Sequence, residues 1–358
     1  MRDYARKKQI AAGESGALAR RHAEALAEAA RSWGDRFLFD AGAVQSAVLR
    51  EEADIGQALT WAAPTNQECF ARLAGGAAMP LLFAARLMPW NEVIEDALAA
   101  DSLTGEPRVW LLLAGSLAAF QREDVQVARA RLLSTIAAAD AAGDLRLACL
   151  MGACSIIFHV LTGATDGVRD EHALLSERVS GLHDRELQLL VEGLEPYILG
   201  YCERRYPEAA AIWAAQIADR SRTDFAGWTA LYCLPDCRLL EGDYEGALDG
   251  FRATLRSARE LARPGTVAYQ LEGILMALSG LGRHDEALEA AGWAETVRQA
   301  AGPAVNSWYK EMIGSARQTS RAALGSKPAD AAFSRGRALT LDAAVNAALA
   351  ADRVTEGA

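Results

Sequence analysis

The chain has 358 residues, 51% of them hydrophobic but only 7% aromatic, and a formal net charge of −10. An acidic chain whose arginines are dispersed lacks the basic stripe that direct nucleic-acid binding requires. No apolar run approaches the roughly 18 uninterrupted residues of a membrane-spanning helix, and the charged stretch Met1 to Gln9 has no apolar region of the secretory kind, so a cytoplasmic protein with no membrane span is expected.

In chain order, residues 1–34 read as helix interrupted at Gly13-Glu14-Ser15, with Ser15 placed to cap the second piece. A connector over 35–40 leads to a helix over 41–62 that Pro64 should end. The next helix, over 66–86, should be kinked by Pro80. From there the pattern turns regular, predicting helices near 89–100, 107–121, 124–142, 145–162, 168–182, 186–204, 207–221, 225–241, 244–262, 265–281 and 284–301. Gly, Asp or Pro stands at most junctions, as short helix–helix turns require, and no alternating Val/Ile/Thr run marks a strand.

Short segments also recur. Gly242-Asp243-Tyr244-Glu245-Gly246-Ala247-Leu248 is answered by Gly282-Arg283-His284-Asp285-Glu286-Ala287-Leu288, with Arg205-Tyr206-Pro207-Glu208-Ala209-Ala210 before them. Weaker copies lie at Glu123-Asp124-Val125 and Asp166-Gly167-Val168. A period of roughly 35–45 residues with two helices per unit marks an all-α helical solenoid, an architecture that mostly binds other molecules.

The register of the repeat places individual side chains. Ala247 and Ala287 fall where the second helix of each pair crosses the first, and Tyr244 and His284 should pack across the turn. Leu231 and Leu271 fall on the core face of the preceding helix. The opposite face should line a concave groove, carrying Tyr201, then Thr229, Tyr232 and Asp236, then Tyr269 and Glu272. The bland alternative makes these solvated positions without a partner. Pro196 and Pro235 fall inside such inner helices and deprive the carbonyls of Glu192 and Leu231 of a donor; they steer curvature or leave an acceptor for a ligand.

Catalytic signatures are missing: there is no phosphate-binding loop of the GxxxxGK[ST] type, no dinucleotide fingerprint, no HExxH and no GxSxG. His22, His159, His172, His183 and His284 share no ligand spacing, and His159 reads as a core histidine in the apolar stretch Ser155-Ile156-Ile157-Phe158. Cys69, Cys149, Cys154, Cys202, Cys233 and Cys237 form no CxxC pair; Cys233 and Cys237 are one helical turn apart, but small buried thiols are the better reading than a metal pair. A non-enzymatic protein with no cofactor and no metal is expected.

The two ends carry a resemblance. Arg2-Asp3-Tyr4-Ala5, Ala11-Ala12-Gly13-Glu14 and Arg20-Arg21-His22-Ala23, followed by residues 49–62 from Leu49-Arg50-Glu51-Glu52 to Trp61-Ala62, resemble the segment that joins a winged-helix module to the helical arm of bacterial STAND-type ATPases and transcriptional regulators. LuxR-type and antibiotic-regulatory activators with tetratricopeptide arms belong to that group. Residues 331–345, with Gly336-Arg337-Ala338-Leu339 at their centre, resemble the closing motif of the arm. The resemblance implies a right-handed α-solenoid of tetratricopeptide-like helix-turn-helix repeats. It divides the chain into a linker-like segment over 1–40, the repeat array over 41–302 and capping helices over 303–358. The ATPase and DNA-binding parts of such regulators have no counterpart here, so what carries over is the arm. It would be a signal-transducing sensor whose concave groove takes a protein, a peptide or a small effector. Glu171-His172 stands where the repeat consensus has Ala. A rival reading is a self-associating scaffold, suggested by Trp33, Trp61, Trp90 and Trp110 in the first third of the chain, which would make it a homo-oligomer.

Overall fold

The structure is a computed structural model and describes residues 15–84, 86–219, 224–260, 264–301 and 307–350. The predicted piece before Ser15, with the motifs at 2–5 and 11–14, lies outside the described residues. The described residues form helices joined by turns and short irregular connectors, with no strand among them. The chain forms two compact units, one of residues up to 82 with 86–152, the other of 83–85 with 153 onward.

The first unit opens with α1 (Ser15–Arg36), α2 (Ala41–Arg50), α3 (Glu52–Thr65) and α4 (Gln67–Phe83). The helix expected over 41–62 is two helices, because Glu51 takes a turn conformation between them. Pro64 does not stop the second; it stands in its last turn, where the helix is about to end anyway. A 3-10 turn at Met88–Trp90 leads into α5 (Asn91–Ala99), followed by α6 (Gly105–Gln121) and α7 (Val125–Ala141). The boundary between the units falls within α8 (Leu145–Thr162). Small residues let this unit pack backbone to backbone: a Cβ added to Gly76 would meet the Ala30 carbonyl oxygen at 1.9 Å. Trp110 is fully buried in that core, its indole N–H donating to Glu106 Oε1 at 2.8 Å, while Trp33, Trp61 and Trp90 are half-buried.

The second unit contains α9 (Val168–Leu182), α10 (Arg185–Glu192), the single turn α11 (Glu195–Tyr197) and a π-helical turn over Ile198–Cys202. It continues with α12 (Tyr206–Ala218), α13 (Phe225–Glu241), α14 (Tyr244–Glu260), α15 (Pro264–Gly280), α16 (His284–Ala301), α17 (Ser307–Leu324), α18 (Ser326–Arg337) and α19 (Leu341–Ala350). From α12 to α18 each helix packs on the next, and α19 packs on α14, α15 and α16. Ala247 and Ala287 are fully buried at their crossings, as the register requires. Tyr244 lies against Gly280, and His284, its counterpart, lies 3.3 Å from the Ser320 hydroxyl. His172, on α9, places Nε2 at 2.9 Å from the Val191 carbonyl.

A repeated junction explains why the helices start and stop where they do. Glu123, Gly143, Gly163, His183 and Arg204, 20 or 21 residues apart, all take positive φ, as do Gly242 and Gly282 farther on. Such a residue ends a helix by turning the next N–H back onto an orphan carbonyl. Asp124, Asp144, Asp243 and Arg283 each donate in this way to the carbonyl five residues earlier, at 2.9–3.2 Å. The same aspartates then cap the following helix, as does Asp184: their side chains accept from Val127, Leu147, Gly246 and Leu187 N–H. Where arginine replaces aspartate, at 205 and 283, it pairs instead with Glu208 or Glu286 three residues on.

Pro196 departs from expectation. It is not inside a continuous helix: the chain breaks after Glu192, Pro196 sits in the first turn of a new piece, and the π turn follows, with Glu203 N–H donating to the Ile198 carbonyl. Pro235 does stand inside α13, packed so closely on α14 that a Cβ on Gly250 would come within 2.7 Å of its ring. Leu231, expected in the core, is 40% exposed, whereas Leu271 is fully buried.

Candidate functional site

The residues singled out by register sit on alternate helical segments of the second unit, and three of them converge. Asp236 on α13 accepts two hydrogen bonds at one oxygen, Oδ2: from the Tyr201 hydroxyl at 2.8 Å and from the Tyr269 hydroxyl at 2.5 Å. Tyr201 comes from the π turn and Tyr269 from α15, so a single carboxyl bridges three helical segments. Asp236 is only 1% exposed, and its other oxygen, Oδ1, has no hydrogen-bond partner among the described residues. Both tyrosines are half-buried.

The local sequence builds this convergence. The π turn over Ile198–Cys202 follows the Pro196 break and carries Tyr201. Pro235 packs on Gly250 just before Asp236. Tyr309 of α17 stacks on Tyr269, with ring centroids 4.3 Å apart and planes 5° from parallel, and its hydroxyl lies 3.5 Å from the Tyr269 carbonyl. Tyr309 was not singled out from the sequence, although it stands one repeat length, 40 residues, after Tyr269. That period was the signal that could have found it.

Burial dominates the electrostatics. It pushes the Asp236 carboxyl up from 3.8 to about 7, against the downward pull of the Tyr269 and Tyr201 hydroxyls. Burial, then the proximity of Asp236, holds Tyr201 and Tyr269 well above the ordinary tyrosine value; Tyr309 is raised in the same way. The neighbouring thiols are raised too, Cys237 to about 12. A thiol held protonated is a poor nucleophile and a poor metal ligand. All six cysteines are free, and no group of three or more His, Cys, Asp or Glu among the described residues could hold a metal ion.

The remaining expected groove residues are placed differently. Glu272 on α15 is buried and paired with Arg298 of α16 through two hydrogen bonds, at 3.1 and 2.5 Å. Burial raises its pKa and Arg298 opposes the rise. Tyr232 lies one turn before Asp236 and is half-buried. Thr229 is buried rather than exposed to a groove, hydrogen-bonded to the Tyr197 hydroxyl and to the Phe225 carbonyl. His159 is buried, with Nδ1 3.3 Å from Glu171 Oε2.

The first unit holds a half-open cleft of about 320 Å³ with an apolar lining of Leu98, Leu103, Leu111 and Leu112. Its charged lining groups answer one another: Arg131 forks onto Glu95 at 2.7 and 2.6 Å, and Arg108 pairs with Asp101. No helix of the described chain is long and apolar enough to cross a membrane. No protein-family model and no curated protein matches this chain.

Proposed function

We propose that this chain is a non-enzymatic binding module in which the second unit is a right-handed, tetratricopeptide-like helical array. On this reading its inner helices recognise a protein, a peptide or a small effector. The observation that carries the reading is the row Tyr201, Asp236, Tyr269 and Tyr309, one residue from each successive inner segment, centred on a carboxyl with a spare oxygen. Aromatic side chains and an incompletely satisfied polar group serve recognition better than packing, since hydrophobic residues would fill the same space without the desolvation cost. The junctions recurring every 20 or 21 residues support the repeat architecture.

The resemblance at the chain's two ends supports a more specific assignment. The module would be the sensor arm of a cytoplasmic bacterial STAND-type regulator, where ligand uptake shifts the balance between closed and open assemblies. It could do so only by binding one state more tightly than the other.

The test is a screen of a displayed peptide library and a metabolite library against the full chain, with hits mapped by hydrogen exchange. Protection concentrated on 195–202, 225–241, 264–280 and 307–324 supports the reading. Hits that protect α12, α14 and α16 instead, or an empty screen, would sink it.

A further inference from the structure

Asp236 is an expensive residue to keep where it is. Taking a carboxylate out of water costs several kcal/mol unless a cation or a full set of hydrogen bonds replaces the water. Here the only donors are two neutral phenols, both on Oδ2, and no ion pair reaches Asp236 among the described residues. The guanidinium of Arg298 on α16 is already engaged by Glu272. What remains is a carboxyl that carries its charge only from about neutral pH upward, one oxygen without a donor, and tyrosine rings beside it.

That combination has a natural complement. An ammonium group brings the missing positive charge and N–H donors, and it is attracted to the faces of neighbouring aromatic rings. An anionic ligand would be repelled, and a neutral one would leave the charge uncompensated. A quaternary ammonium would use the rings but could not donate to Oδ1. On the same helix Pro235 leaves the Leu231 carbonyl without its helical donor, in a turn whose Leu231 side chain reaches the surface.

We propose that Asp236 is the counter-ion for a primary or secondary organic ammonium group, which enters between Tyr201 and Tyr269 and donates an N–H to Asp236 Oδ1. This rests on the reading of the inner helices as the binding face and names the chemistry of what binds there.

Binding is linked to protons. The groups facing Asp236 are Tyr201 from the π turn, Tyr269 from α15, Tyr309 from α17 behind Tyr269, and Cys233 and Cys237 from α13 itself; Glu272 on α15 is already neutralised by Arg298. The tyrosines and thiols are held protonated, so the carboxyl is the group that ionises as the cation arrives. With the empty site's carboxyl near 7, uptake releases a proton below that pH and affinity rises with pH until the carboxyl is fully ionised.

The experiment is calorimetric titration of the full chain with 2-phenylethylamine, with a short end-blocked peptide containing one lysine, and with phenylacetate as the anionic control, at about pH 5.5 and about pH 8. The expected result is one-to-one binding of at least one of the two cations, about thirtyfold tighter at the higher pH and absent for phenylacetate. Asp236→Asn, which keeps an oxygen for both tyrosines, should weaken it by about tenfold or more while leaving helicity unchanged. Binding of the amine alone identifies a small effector, and binding of the peptide identifies a protein partner. Three results would overturn the proposal: no cation bound at about 1 mM, equal affinity at the two pH values, or equal affinity in Asp236→Asn. A ligand from the library screen that protects the inner helices yet binds Asp236→Asn as well as the native chain would refute the ammonium site and leave the groove reading standing.

Discussion

A carboxyl whose pKa is higher in the folded chain than in the unfolded one makes stability depend on pH in the opposite sense to an ordinary salt-bridged aspartate. Asp236 stands at about 7 when folded against 3.8 for an ordinary aspartate. Between those values the folded state keeps a proton that the unfolded state has lost, so stability falls as pH rises from about 4 to about 7 and is flat beyond. Glu272 is also raised and pushes in the same direction, so the diagnostic quantity is the difference between native and variant. Asp236→Asn should therefore flatten the profile and gain stability relative to the native chain as pH rises. Urea midpoints at about pH 5 and about pH 8 measure this; parallel profiles for the two proteins would refute it. Tyr269→Phe removes a donor that matters most when the carboxyl is charged. Its cost should be about 1.5–3 kcal/mol at high pH and visibly smaller at low pH. The sequence showed Tyr201, Asp236 and Tyr269 as one residue per repeat but not that they touch. Periodicity reports which helix a residue is on, and only coarsely how that helix is rotated. Leu231 shows the limit: it shares Leu271's place in the repeat, yet it lies at the surface while Leu271 is fully buried.

Helix existence was legible for a local reason: the junction chemistry is written in consecutive residues. A positive-φ residue followed by a capping aspartate, as at Glu123-Asp124, Gly143-Asp144, His183-Asp184 and Gly242-Asp243, ends one helix and starts the next without help from distant contacts. The misread elements are those where no such pair exists, at Glu51 and between Glu192 and Pro196. Asp184→Ala should then cost about 0.5–2 kcal/mol, seen as earlier loss of helicity in denaturant. Glycine substitutions separate propensity from packing. On α14, Gly250→Ala drives a methyl into the Pro235 ring, and because both partners are stiff the clash should cost about 1–3 kcal/mol. On α17, Gly314 has nothing within 4 Å of an added Cβ, so Gly314→Ala should stabilise by about 0.5–1 kcal/mol through helix propensity alone. Equal effects of the two substitutions would refute the close α13–α14 contact at Pro235.

At the scale of the whole molecule the question is whether the second unit behaves as an array or as one cooperative globule. Its core from Leu239 to Ala348 is a string of neighbouring interfaces, and α19 closes it by burying Ala344, Val345 and Ala348. Arg252 of α14, itself buried, donates from Nε to the Ala348 carbonyl at 3.1 Å and so pins the end of that helix. In a chain of repeats stability is a sum of local and nearest-neighbour contributions, so damage at one end should fade with distance along the sequence. Val345→Asp places a charge where a buried valine stood and should undock α19. Native-state hydrogen exchange should then quicken first in α14, α16 and α19, which share that core. It should change little in α9 and α10, with the inner segments around Asp236 in between. Uniform acceleration from α9 to α19 would instead identify a single cooperative unit, and with it the repeat-array reading, and the groove drawn from it, would have to be given up.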